Sequence, residues 1–207
     1  MPNNSSTHVD LVVTGASELL TCAGDASDTI GLIPGGGVAI TDGRIVAVGD
    51  VSGYDADRVI DAQGGVIMPG FVDSHTHVVF GGSRVEEYAA KVGGLTPRSG
   101  APVGINGTMA TTRAATSEQL LEQSSARVRD MVRQGTTTLE SKSGYGLSSA
   151  HELRLLETNQ RLSETMPVDV VSTFLGAHAF PNDIPHDQWV DEIIALTPEV
   201  AERGLAE

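Results

Sequence analysis

Pro69-Gly70-Phe71-Val72-Asp73-Ser74-His75-Thr76-His77 marks the point at which this chain changes character. Ahead of it the pattern is all-β; beyond it, strands and helices alternate. Phe71-Val72-Asp73 reads as a short strand of the buried kind that closes on two histidines. On extended backbone, residues two apart project from the same face, so His75 and His77 present two imidazoles to one point. Two histidines completed by a carboxylate or further histidines, with a water, form the usual hydrolytic metal site. A bare His-x-His is weak by itself, and surface or core histidines are the alternative. Its place at a strand end, with Asp73 two residues before it, favours ligation by His75 and His77.

Downstream, the spacing predicts repeated strand–helix units. Thr116 with Gln119 forms a capping-box pair ahead of an apolar stripe of Leu120, Leu121, Val128, Met131 and Val132, and Gly135 stops that helix. Thr136 to Glu140 is a β-branched strand, followed by the loop Ser141-Lys142-Ser143-Gly144-Tyr145-Gly146. A second helix opens at Ser149 with Glu152 as its capping partner and ends before Pro167. Val168 to Phe174 is the next strand, stopping at Gly176-Ala177-His178. Trp189, Val190, Ile193 and Ile194 mark a further helix, and Thr197-Pro198-Glu199 caps another. Alternation of this kind means a parallel sheet, with polar residues gathered past the carboxyl ends of its strands. In a (β/α)8 barrel that end is the catalytic face, but such a barrel takes about 250 residues. Only about 140 remain here, enough for half. The Gly- and Pro-rich stretch from Gly93 to Gly107 is too long for an ordinary connection and is a candidate active-site segment.

Upstream, residues 1–65 read as β structure. Val38 to Thr41 and Arg44 to Val48 flank Asp42-Gly43, a strong hairpin signal. Gly35-Gly36-Gly37 leads into a strand with no Lys-Ser/Thr after it, so it reads as a tight turn and not a phosphate loop. The expected architecture is α/β: part of a small β-sandwich over 1–65, then a partial (β/α)8 TIM-type barrel over 66–207.

Composition narrows the function. Lys and Arg number 13 against 27 Asp and Glu, a net charge of −14. A surplus of that sign argues against nucleic acid and against an anionic membrane. One cysteine, Cys22, excludes an intrachain disulfide and fits a reducing, cytoplasmic setting. The N-terminus has neither the basic start nor the apolar stretch of a signal peptide, and no apolar run approaches the ~18 residues of a bilayer span.

The motif at Pro69 to His77 resembles the first barrel strand of the amidohydrolase superfamily. Phe80-Gly81-Gly82-Ser83-Arg84, Lys142-Ser143-Gly144-Tyr145-Gly146-Leu147 and Phe174-Leu175-Gly176-Ala177-His178-Ala179 narrow the resemblance to the imidazolonepropionases, across nearly the whole chain. That family opens 4-imidazolone-5-propanoate to N-formimidoyl-L-glutamate in histidine degradation. The resemblance implies one divalent ion, zinc or iron, on His75 and His77, with a histidine and an aspartate from later strands completing the ligands. It implies substrate contact by Arg84, Tyr145 and His178, a small anionic substrate, and a complete protein for which a homodimer is open. Arg84 has a fork suited to the propanoate carboxylate, the alternative being an ion pair with Glu86 or Glu87. Tyr145 sits between two glycines that let a ligand approach, and His178 could polarise the ring carbonyl as a catalytic group. Lys142 is assigned a structural or ligand-supporting place; Asp73 and Glu140 could orient ligands; Cys22 is read as a passive thiol, and His8, His151 and His186 receive no role. A hydantoinase-like cyclic-amide hydrolase, a deaminase relative, and an inactive fragment that merely folds or binds metal are the rival readings.

Overall fold

The computed structural model describes residues 6–96 and 103–207. The chain forms two compact units, Met1–Pro69 and Gly70–Glu207.

The first unit contains two sheets. In the four-stranded one, β1 (Thr7–Thr14) pairs antiparallel with β4 (Gly37–Thr41) and parallel with β6 (Tyr54–Asp61), while β5 (Arg44–Gly49) extends it beyond β4. The β4–β5 turn has φ of 52° at Asp42 and 71° at Gly43, the doubly positive pattern of a two-residue hairpin. Val9 and Val12 of β1 are buried in one cluster with Ala39 and Val51. The smaller sheet has the order β3 (Leu32–Pro34), β2 (Glu18–Leu20), β7 (Val66–Ile67). Because Val66–Ile67 pairs with Glu18–Leu19, residues 66–69 belong to this unit, and the division falls at Pro69–Gly70 and not after residue 65.

The second unit is built on a parallel sheet of order β10 (Asp169–Thr173), β9 (Thr136–Lys142), β8 (Phe71–Thr76). Two long helices cover it: α3 (Ser117–Arg133) and α4 (Ser149–Thr165). α3 starts with the expected capping box, since Thr116 Oγ1 accepts from Gln119 N–H at 3.2 Å and Gln119 Oε1 accepts from Thr116 N–H at 2.9 Å. Leu120 and Val128 of α3, Leu155 and Leu162 of α4 and Leu139 of β9 are fully buried in one cluster. Strand–helix repetition, parallel pairing and an open sheet make this a partial α/β barrel, as the sequence pattern predicts.

Four features depart from the sequence reading. α1 (Val85–Val92) lies where the sequence reading placed no element, and α2 (Gly104–Ala114) starts inside the stretch read as a Gly- and Pro-rich connection. α2 opens on a glycine without a side-chain cap and carries Thr108, Thr111 and Thr112, all poor helix signals. Tertiary bonds secure it instead: Thr111 Oγ1 donates to Gly81 O at 2.7 Å, and Gly81 N–H donates to Thr112 Oγ1 at 3.0 Å. Of the Gly93–Gly107 segment, residues 97–102 lie outside the described residues. The two helices expected near Trp189 and Thr197 are one, α5 (His186–Glu202), which runs through Pro198. Leu196 and Val200, four apart, dock with Leu156 and Leu205 on either side of the proline, and that burial outweighs the lost backbone bond. Finally, Phe71 and Val72 are exposed, 54% and 68%, because β8 has a neighbour on one edge only among the described residues. No helix among those residues is long and apolar enough to cross a membrane.

Candidate active site

All the barrel residues singled out from the sequence lie at the carboxyl ends of β8, β9 and β10 or in the segments that follow. His75 is on β8 and His77 just beyond it. β8 is not a plain ladder here: Asp73 opposes Leu139 and Thr76 opposes Ser141, so three steps on β8 match two on β9. This bulge lets the Thr76 hydroxyl donate to the Glu140 carbonyl. The histidine rings lie 6.1 Å apart, centroid to centroid, at 67°.

His77 is the hub. Its ring is 4.6 Å from that of His178 and 4.8 Å from that of Tyr145, and Tyr145 and His178 are 5.4 Å apart. Burial, reinforced by the neighbouring His178, His75 and Lys142, pushes the His77 imidazole down to about 4, against the weaker opposing pull of the Ser143 carbonyl. The ring is therefore neutral near neutral pH, and its Nδ1 is buried without a hydrogen-bond partner.

The loop after β9 meets the loop after β10 through backbone bonds. Ser143 N–H donates to Thr173 O at 2.9 Å, and Leu175 N–H donates to Ser143 Oγ at 3.0 Å. Gly144, with φ of 111°, lies so close to the second loop that a Cβ there would stand 2.7 Å from His178 Cβ. Only glycine allows that approach. Trp189, fully buried, donates from Nε1 to Gly176 O at 3.2 Å and steadies the turn that carries His178.

Arg84 meets Glu87. Its Nε and Nη2 donate to the two carboxylate oxygens at 2.5 and 3.0 Å, the ion pair weighed as the alternative to substrate binding. Beyond that pair, Arg84, Phe80, Thr108 and Tyr145 line a cavity of about 220 Å³, so the guanidinium reaches the same space as the tyrosine. The pair uses two of its five N–H donors and leaves three. Arg127 of α3 grips the preceding segment, donating to the carbonyls of Val78, Phe80 and Gly82 and stacking 3.5 Å over the Phe80 ring.

The lesser candidates find ordinary partners. Lys142 pairs with Glu140, which also accepts from Thr173 Oγ1 at 2.7 Å. The exposed Asp73 carboxylate turns back to His75 N–H at 3.4 Å. Cys22 is exposed. Arg113 and Asn159 were not foreseen from the sequence, and Glu152 was foreseen only as a cap partner. Asn159 donates from Nδ2 to Ser141 O and Ser172 Oγ and accepts from Ser141 Oγ, tying α4 to β9 and β10. Glu152 and Arg113 bind the Gly144–Leu147 loop. The S-x-x-E spacing at Ser149 points to Glu152, though with the wrong target. The helix cap falls on Ser148, whose Oγ lies 2.6 Å from His151 Nδ1.

Two exposed or half-buried imidazoles and an orphaned ring nitrogen at a strand end fit part of a metal shell. Among the described residues, no three His, Cys, Asp or Glu side chains converge as a complete one.

Residues 58–171, more than half of the chain, match the amidohydrolase family, and the chain belongs to it. It is 43% identical over 220 residues to an imidazolonepropionase of Geobacillus kaustophilus, covering 95% of this chain and 51% of that protein. Against an imidazolonepropionase of Halobacterium salinarum it is 41% identical over 210 residues, covering 96% and 50%. The chain thus spans about half the length of the curated relatives it matches. Among solved structures, it resembles an atrazine chlorohydrolase from Arthrobacter aurescens complexed with zinc (TM-score 0.54, 18% identity, 91% of this chain and 42% of that one). It also resembles an N-isopropylammelide isopropylaminohydrolase from Burkholderia multivorans (TM-score 0.54, 18% identity, 90% and 43%). At such identity these two speak for the fold alone.

Proposed function

We propose that this chain supplies one part of an imidazolonepropionase, a cytoplasmic enzyme that hydrolyses the cyclic amide of 4-imidazolone-5-propanoate to N-formimidoyl-L-glutamate. The observation that carries the reading is the meeting of His77, Tyr145 and His178, brought from three separate strand ends to within 4.6–5.4 Å of one another. The relatives at 41–43% identity add support.

Each residue then has a task. His75 and His77 would hold a divalent ion, zinc or iron, together with further ligands; when bound, it would supply Lewis acidity and acidify a water toward neutrality. A neutral His77 offers a lone pair without first losing a proton. Arg84, held by Glu87, takes the propanoate carboxylate on its remaining N–H donors in the cavity beside Tyr145. That anchor sets the ring against Tyr145 and His178. The Tyr145 hydroxyl hydrogen-bonds the bound substrate, and His178 donates toward the ring carbonyl oxygen, where negative charge grows as water adds to the carbon. Collapse of that adduct breaks the ring C–N bond, and the ring nitrogen leaves with a proton. The strongly acidic surface cannot attract the anionic substrate from afar, so recognition rests on Arg84 at short range.

The test is Arg84→Ala in the complete protein. Loss of one partner of a substrate carboxylate costs on the order of 2–5 kcal/mol, so KM for imidazolone propanoate should rise more than tenfold. A des-carboxy analogue should be nearly indifferent to the change. If both compounds suffer equally, the arginine serves only Glu87 and the substrate pose is wrong. If the complete protein does not consume imidazolone propanoate but opens hydantoins or releases ammonia from another amide, the function itself is wrong.

A further inference from the structure

Glu152 is fully buried in the first turn of α4, yet its side chain makes no bond to the helix cap. Its carboxylate faces the loop before the helix. Oε2 accepts from Gly144 N–H at 2.8 Å, and Oε1 accepts from both Gly146 N–H and Leu147 N–H at 2.7 Å. The three amides flank Tyr145 on both sides. A buried carboxylate that collects three N–H donors is a rigid centre, because each donor would be costly to leave unpaired.

The carbonyl side of the same loop is held as firmly. Arg113 of α2 donates from Nε to Gly146 O at 2.7 Å and from Nη2 to Leu147 O at 2.6 Å, while Nη1 binds Asp183 at 2.6 Å. Gly146 sits hard against the helix start: a Cβ there would stand 2.6 Å from Glu152 N. Leu147 closes the loop at a φ of 49° and is fully buried with Met109 and Trp189. A left-handed leucine persists only where its surroundings over-determine it. With N–H groups turned to Glu152 and carbonyls to Arg113, the one side chain left to project is that of Tyr145, toward His77, His178 and the cavity that Arg84 lines.

We propose that Glu152 is a positioning residue: its carboxylate, by binding the amides of Gly144, Gly146 and Leu147, sets the place of the Tyr145 ring in the site. This rests on the reading of Tyr145 as a substrate contact. Glutamine has the same shape, but its amide group would aim a donor at an amide N–H, so Glu152→Gln should displace the loop without emptying the core.

The complete protein is labelled with 3-fluorotyrosine, and the Tyr145 resonance is assigned by its disappearance in Tyr145→Phe. In Glu152→Gln that resonance should shift or broaden, while the signals of Tyr54 and Tyr88 stay in place. KM for imidazolone propanoate should rise by about tenfold, and adding Glu152→Gln to Tyr145→Phe should cost little more, since both act through one ring. Glu152→Asp keeps the charge but retracts it, and should fall between wild type and glutamine; it carries the test if the glutamine variant does not fold. An unmoved Tyr145 resonance in a folded variant, or losses that multiply with Tyr145→Phe, would overturn the assignment. If imidazolone propanoate is not a substrate at all, the proposed function fails, while the resonance alone still decides whether Glu152 places Tyr145.

Discussion

A histidine with a buried nitrogen that bonds nothing is an unusual thing to keep in a folded chain. His77 is such a residue, and its neighbour His75 is exposed two positions before it. The pairing makes sense if both nitrogens have a ligand in common. In the complete protein, His77→Ala and His75→Ala should each lower the metal found by elemental analysis to well under one ion per chain and abolish turnover. Wild-type metal in either variant removes that residue from the ligand set. The histidine pair was legible in the sequence, because strand and spacing are local facts. The partners of Arg84 were legible only as alternatives: Glu87, three residues on, is in helical reach, but nothing local says whether a guanidinium turns to it or to a ligand. Glu152 was visible as an S-x-x-E residue and misread, since the loop before a helix offers the same donor groups as its cap.

Elements with their own signals came through, and elements without them did not. α3 announces itself by its capping box and apolar stripe, and β9 by its threonines. α2 depends on bonds to Gly81, some thirty residues away in sequence, and α5 on a docking face that spans Pro198. Those are tertiary facts, and local propensity points the other way. One link between α2 and the segment leading into α5 is the Arg113–Asp183 pair. Arg113 holds the Asp183 carboxyl below its usual 3.8. A carboxyl lowered on folding adds stability above its unfolded value and gives it up as pH falls. Asp183 is 57% exposed, so the gain is at most ~1 kcal/mol. In the complete protein, Asp183→Asn should lower the urea midpoint at neutral pH, and the gap should close as the pH falls below 3.8 and through the lowered value in the folded chain. A gap that persists in acid would mean that the aspartate acts through something other than its charge.

The second unit of the molecule is a sheet with both edges unpaired among the described residues: β8 on one side and β10 on the other. Val72, 68% exposed, and Phe71, 54% exposed, stand on one of them. Open parallel edges with apolar side chains are templates for further pairing. Residues 1–207 expressed alone should therefore leave a sizing column as oligomers and show no turnover with added zinc or iron. Val72→Lys should shift that material toward monomer. A soluble, active monomer of the unchanged chain would show that the site needs nothing further. The half-barrel was foreseeable from length and alternation, because those depend on counting and periodicity. What covers its faces is settled by distant contacts that no local pattern encodes.

The bulge in β8 has a consequence for how this segment can change. Between Asp73 and Thr76 the strand carries one residue more than its partner. A substitution there alters one side chain and leaves the others in place. A deletion that left the bulge in place would slip the later residues by one against β9 and turn each of them to the opposite side. His77 would leave Tyr145 and His178, and the anchor points of Arg127 on Val78 and Phe80 would be lost with it. The length of this stretch is therefore under tighter constraint than its composition: it can drift in letters, but it cannot gain or lose one.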